Sequence, residues 1–285
     1  MALRDLTADL LALTARLIAL SQGETDLASR AARLSERISD QRFHLAVLGE
    51  FKRGKSTLVN ALTGRDLLPS GVLPLTTVAT EVHIGASHSS IVFTDGHEEP
   101  LDHSQISDYV TESRNPGNVK EIARVMVATP SSFGISGLVL IDTPGIGSVN
   151  EHNTHAAHAA LEDSDGAVLV LSADSPLSEG ELEMLSALAD RHAKVFIVIN
   201  KCDHLAPKEI DQVAAFVREH VDQVLSVWDG PYCIDARSAL QGISGPGHSL
   251  TSRAYANLRT SLEAFVRDGL VLERTRSSVT ELTRL

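Results

Sequence analysis

Gly49-Glu-Phe-Lys-Arg-Gly-Lys-Ser-Thr57 sets two glycines with four residues between them and follows the second at once with a lysine and a hydroxyl. In that spacing Gly49 and Gly54 let the backbone from Glu50, Phe51, Lys52 and Arg53 through to Thr57 wrap a chain of phosphates with its N–H groups. Lys55 would reach the β- and γ-phosphates, and Ser56 would offer its hydroxyl to Mg2+. Two further cations, Lys52 and Arg53, stand inside the loop, where a positive charge can meet the charge that builds on a phosphoryl group in transfer.

Four later stretches carry chemistry of the same kind. Asp142-Thr-Pro-Gly145 ends a run of apolar residues. Its carboxylate would hold Mg2+ through water, and the Gly145 N–H would sense a γ-phosphate. Asn200-Lys201-Cys202-Asp203 ends another run. The Asp203 carboxylate can accept from the N1–H and 2-amino group of guanine, donors that adenine lacks, and the Lys201 stem can cover the base plane. In Asp235-Ala-Arg-Ser-Ala239 the Ala236 N–H would meet the guanine carbonyl and Arg237 would lie along sugar or base. In "LPLTTVAT" either Thr76 or Thr77 would close over the metal and γ-phosphate, with Thr76 preferred. Each stretch alone is compatible with an ordinary turn. Their agreement in order and context makes GTP or GDP with Mg2+ the expected ligand.

These residues need a scaffold, and the hydrophobic pattern supplies one. "FHLAVLGE" reads as a buried strand, the glycine-rich loop follows, and "KSTLVNALTG" reads as a helix closed by Gly64. Further on, "SSIVFTDGHEEPL" reads as a hairpin turning at Asp95-Gly96, "SQISDYVTES" as a short helix capped by Ser104, and "KEIARVMVATP" as a strand. From "SGLVLIDTPG" onward apolar strands alternate with amphipathic helices, which implies a mostly parallel sheet with helices on both faces, an α/β phosphate-loop domain. Both ends of the chain carry helical stripes. Leu6, Leu10, Leu13, Leu17 and Leu20 form one, continued by Leu27, Ala31, Leu34 and Ile38. Ala254, Leu258, Leu262 and Phe265 form the other. The expected division is N-terminal neck helices over 1–41, a nucleotide-binding domain over 42–248 and a C-terminal neck helix over 249–285, with the end helices packed on each other.

Composition narrows the function. The chain has 285 residues and a net charge of −12. That charge argues against a nucleic-acid partner and against broad attraction to anionic lipid. No run of apolar residues is long enough to span a bilayer, and charges interrupt the N-terminal stretch, so neither a secretory leader nor a membrane span is read there. Cys202 and Cys233, the two cysteines, are expected to lie near each other as reduced thiols in a cytoplasmic protein. His152, His155 and His158 are read as surface histidines, since a spacing of three drifts around a helix.

"GEFKRGKSTLVNALTG", "LPLTTVATEVHI", "LVLIDTPGIGS", "NKCD" and "DARSAL" together resemble the GTPase domain of the dynamin superfamily, the bacterial dynamin-like proteins above all. The resemblance spans about residues 42–245 in motif order. The long interval from Lys55 to Asp142 suits the extra hairpin, helix and strand of such domains. It implies GTP hydrolysis coupled to dimerisation across the nucleotide face, with a like chain or a second dynamin-like chain. It also implies membrane remodelling through segments beyond this chain and a place at the inner face of the cell membrane.

Ras-like GTPases orient water with a glutamine at the position held here by Ile146, so backbone around Thr76 and Gly145 would take that part. The resemblance further implies that the fourth loop residue, Lys52, supplies the transition-state charge, directly or with a monovalent cation such as K+, and does so ahead of Arg53. Two other functions stay open. A switch GTPase with an RNA, ribosomal or protein partner would be expected to carry a basic module, and none is visible. A slow GTP/GDP-binding regulator of another dynamin-like chain is the second.

Overall fold

The computed structural model describes residues 42–70, 76, 78–85, 88–130, 138–145, 159–162, 164–191, 194–243 and 249–282 (side chains to 267), with residues 9, 11–16, 18, 19, 31 and 35 near the N-terminus. Strand β1 (Phe43–Leu48) is the apolar run before the glycine-rich loop, and helix α1 (Lys55–Thr63) follows it, ending at Gly64. Strand β2 is Thr80–Ile84, β3 Ser90–Phe93, β4 Glu98–Pro100, β5 Ile122–Thr129 and β6 Leu138–Asp142. Then come β7 (Gly166–Ser172), α3 (Glu179–Arg191), β8 (Lys194–Asn200), α4 (Pro207–Val224), β9 (Trp228–Cys233), α5 (Ala236–Gln241) and α6 (Ser249–Leu282), while the short α2 (Ile106–Val110) lies between β4 and β5.

All nine strands join one sheet in the order β4-β3-β5-β2-β6-β1-β7-β8-β9. The half from β6 to β9 is wholly parallel. Strands β1, β6, β7 and β8 are buried along nearly their whole length, which explains their largely apolar runs, while the edge strand β9 is only partly buried. Alternate residues feed two cores. Leu45, Val47, Val168, Val170, Phe196 and Val198 pack in one, and Ala46, Leu48, Leu169, Leu171, Ile197 and Ile199 in the other. The second core takes in Met184, Leu185 and Leu188 of α3 with Val217 and Val221 of α4. The other half of the sheet is mixed: β2 runs antiparallel to β6 but parallel to β5, and the β3–β4 hairpin pairs antiparallel on β5. The expected mostly parallel sheet is therefore realised in the site-bearing half, and the extra hairpin, helix and strand form the wing.

The hairpin turns at Gly96 as expected, with φ +89°. The cap before α2 differs from the expected Ser104. Asp102 accepts from the Ser104 N–H, because its carboxylate sits at the start of the 3-10 turn that leads into the helix.

Helix α6 spends its first turns in the main core rather than beside it. Leu258, Leu262 and Val266 are buried there. The Phe265 ring meets Phe43 edge-on at 4.7 Å and Phe196 at 5.3 Å. The Tyr255 hydroxyl donates to the Ala61 carbonyl at 2.6 Å. Near the N-terminus Thr14 and Ala31 are buried. The expected packing of the two end helices on each other falls mostly outside the described residues. Among those residues, no helix is long and apolar enough to cross a membrane.

Candidate functional site

Parallel strands present their carboxyl ends on one edge, and here four of them deliver the chemistry. Val47 is in register with Asp142, Leu48 with Leu169, Ser172 with Asn200 and Ile199 with Cys233. Phe51, Lys52, Gly54, Lys55, Ser56, Thr57, Thr76, Gly145, Asn200, Lys201, Asp203 and Arg237 all line one open cleft of about 480 Å³ on that edge. Gly49, Glu50, Arg53, Asp142 and Ala236 do not line it. Thr77, Ile146 and the three histidines at 152, 155 and 158 lie outside the described residues.

The loop is held in shape by close approaches. Gly54 has φ +92°, and a Cβ there would fall 2.3 Å from Asn200 Nδ2. A Cβ on Gly145 would fall 2.8 Å from the Phe51 backbone, so the two phosphate-facing loops can meet only because residue 145 has no side chain. Lys55 is 7% exposed, and its ammonium donates to the carbonyls of Gly49 (3.0 Å) and Glu50 (3.1 Å). Burial pushes its pKa down to about 8, against the pull of Asp142 and Glu181. An ammonium resting on backbone carbonyls can turn to a phosphate without losing its place in the loop.

Below the loop, the Ser56 hydroxyl donates to Asp142 Oδ2 at 2.6 Å. The other oxygen, Oδ1, is buried with no hydrogen-bond partner among the described residues. Burial pushes the Asp142 carboxyl up to about 6, opposed by Lys55 and by the Ser56 hydroxyl. A buried acceptor without a donor is costly. A hydroxyl and a hard carboxylate oxygen on the phosphate side are the donors that Mg2+ favours, so these residues fit the ion. Thr76 lines the cleft and makes an isolated antiparallel bridge with Thr111.

The base end departs from expectation in one detail. The Ala236 N–H, expected to face a guanine carbonyl, donates to Asn200 Oδ1 at 3.0 Å, because Asn200 reaches across between β8 and α5. Asn200 Nδ2 in turn donates to the Arg53 carbonyl at 2.9 Å. Asp203 is exposed at the cleft. Asp174 and His204 also line the cleft and were not anticipated. Asp174 pairs with His204 at 3.0 Å and lies 3.9 Å from Lys201 Nζ. Both residues stand beside motif positions, but nothing in their spacing marks them.

The two loop cations part company. Lys52 is exposed with φ +63°, its ammonium 5.2 Å from the centre of the Phe51 ring. Arg53 is 8% exposed, ion-paired to Glu50 at 2.7 Å and to Glu181 at 2.8 Å. That removes Arg53 as a cation reaching the phosphates, since its guanidinium is held between two carboxylates. Cys202 and Cys233 are free buried thiols; the Cys202 thiol donates to the Ile199 carbonyl at 3.3 Å, and the neighbouring Cys233 thiol together with burial raises Cys202.

Residues 45–203 match the model of the dynamin family. An uncharacterised protein from the xynA 3′ region of Caldicellulosiruptor sp. (strain Rt8B.4) is 36% identical over 84% of this chain and 60% of its own length. Dynamin-like protein 2 of Campylobacter jejuni is 28% identical over 63% of this chain and 29% of its own length. The chain thus spans less than two thirds of the length of these relatives. A solved structure of an oligomerised bacterial dynamin pair, described as a mechanism for long-range sensing and tethering of membranes, superposes with a TM-score of 0.63 at 18% identity. It covers 99% of this chain and 47% of that one, and the likeness is one of fold. With more than half of its length matched to that model and its phosphate loop, aspartate and Asn-Lys-Cys-Asp segment gathered on one sheet edge, the chain belongs to the dynamin family of GTPases.

Proposed function

We propose that this chain binds GTP with Mg2+ and hydrolyses it to GDP and phosphate, and that pairing of two such domains across the nucleotide face drives the step. The observation that carries the reading is the Ser56–Asp142 contact under the phosphate loop, with one Asp142 oxygen buried and unpartnered. Ser56, Thr76 and Asp142 would hold Mg2+, which when bound draws charge from the β- and γ-phosphates.

The chain's own groups do the rest. Loop N–H groups orient the phosphates, and the Lys55 ammonium turns to them from the carbonyls of Gly49 and Glu50. Asp203 reads the guanine edge, and Arg237 lies along sugar or base. Water is positioned by backbone around Thr76 and Gly145. Lys52 supplies positive charge once a partner orders the loop tip, directly or by holding K+. Membrane remodelling belongs to the full assembly, which would work at the inner face of the cell membrane. The oligomerised pair of similar fold supports a dynamin-like partner, like or unlike.

A second reading, a slow GTP/GDP holder regulating another dynamin-like chain, is favoured by the sequestration of Arg53. Turnover measured against protein concentration, with and without K+, separates the two. Specific activity that climbs with concentration supports pairing-driven hydrolysis, and a flat, slow rate supports the holder.

A further inference from the structure

Helix α3 opens with Ser178-Glu-Gly-Glu181, a reciprocal cap. The Glu181 N–H donates to Ser178 Oγ at 3.2 Å, and the Ser178 N–H donates to Glu181 Oε2 at 3.0 Å. Capping alone would use one oxygen of each side chain and leave the rest to solvent. Here the remaining atoms are engaged as well, Glu181 Oε1 and Arg53 Nε by charge rather than by a hydrogen bond. The Ser178 hydroxyl donates to Glu50 Oε1, and Glu181 Oε1 pairs with Arg53 Nε at 2.8 Å. Arg53 closes the circuit by donating to Glu50 Oε2 at 2.7 Å. The Glu181 side chain is wholly buried.

A helix cap and a phosphate loop are thus one ring of four residues. Its two loop members, Glu50 and Arg53, bracket Phe51 and the positive-φ Lys52. A buried carboxylate needs its partners, and a guanidinium's planar fork serves two carboxylates in fixed directions that an ammonium's point charge does not set. We propose that Glu181 is a positioning residue: through Arg53 and Ser178 it fixes the backbone of residues 50–53 in the form that receives a nucleotide's phosphates. The inference rests on the nucleotide-binding reading above and adds to it a residue remote from every motif. The charge of Glu181 also acts on Lys55, favouring its ammonium, while Arg53 opposes it.

The test separates the cap from the loop. Glu181→Gln keeps a carbonyl oxygen for the Ser178 N–H and so keeps the cap, but loses the ion pair with Arg53. Arg53→Lys keeps the charge and loses the fork. Binding of fluorescent GDP and ADP to wild type, both variants and the double variant is measured beside their melting temperatures. GDP affinity is expected to fall about tenfold in Glu181→Gln, with the preference for GDP over ADP and the melting temperature near wild type. Arg53→Lys should fall similarly, and the double variant no further, because both break one ring. Wild-type GDP affinity in the folded single variants would overturn the proposal, as would losses that multiply in the double variant. Should Glu181→Gln fail to fold, Arg53→Lys and Ser178→Ala carry the same comparison, with unchanged affinity in both overturning the proposal. Wild type that binds neither GDP nor GTP would instead sink the nucleotide reading itself.

Discussion

Ser56 and Asp142, 86 residues apart in sequence, meet through a 2.6 Å hydrogen bond that leaves Asp142 Oδ1 buried and without a donor. The carboxyl is raised to about 6 from an ordinary 3.8. Between those values the folded state holds a proton that the unfolded chain has lost, so metal-free stability should fall as pH rises from about 4 to about 6. The loss is on the order of 3 kcal/mol. Asp142→Asn should therefore melt higher than wild type at pH 7.5 without Mg2+ and lose the gain that Mg2+ with GTP gives wild type. Thermal melts with and without Mg2+ and GTP check both halves.

Lys55→Ala should lose at least about a hundredfold in GTP affinity, since a buried ammonium facing phosphate is worth several kcal/mol. In wild type the nucleotide-free Lys55 is depressed to about 8. Binding a triphosphate favours the charged form, so above pH 8 association should take up a proton and weaken as pH rises. Calorimetry in buffers of different ionisation enthalpy measures that uptake.

Thr76→Ala should keep GDP and GTP binding within a few fold yet lower turnover by about a hundredfold or more. Turnover at the wild-type level would assign the closing hydroxyl to Thr77.

Lys52→Ala should reduce kcat at saturating GTP, together with its dependence on K+, and leave GDP affinity nearly unchanged because the side chain is exposed. A kcat and K+ response equal to wild type would end its role as the transition-state cation.

Asp203→Ala should reduce the preference for GTP over ATP by at least about a hundredfold, with phosphate contacts kept. Competition between the two nucleotides for one fluorescent ligand reads the ratio.

Much of the site could be read from the chain because each motif is local. The loop at 49–57, Asp142 and Asn200–Asp203 each end a buried strand, and parallel strands bring such ends together whatever lies between them. Contacts between distant side chains carry no such mark. Arg53 ranks behind Lys52 in the sequence but nothing there marks it as buried, and its burial depends on Glu181 in a helix after β7, with Ser178 closing on Glu50 from 128 residues away. The engaged N–H of Ala236 was hidden for the same reason, since Asn200 is 36 residues distant and either end of its amide could have pointed elsewhere. Helix α6 showed its apolar stripe plainly. What the stripe covers was not legible, because Phe265 chooses Phe43 and Phe196 only once the sheet exists.

The Asn200 amide, pinned by the Arg53 carbonyl on one side and the Ala236 N–H on the other, mechanically splices the glycine-rich loop to the start of α5. A change at either end of that amide is therefore felt at the other: Asn200→Ala would free the turn at Gly54 and the start of α5 together.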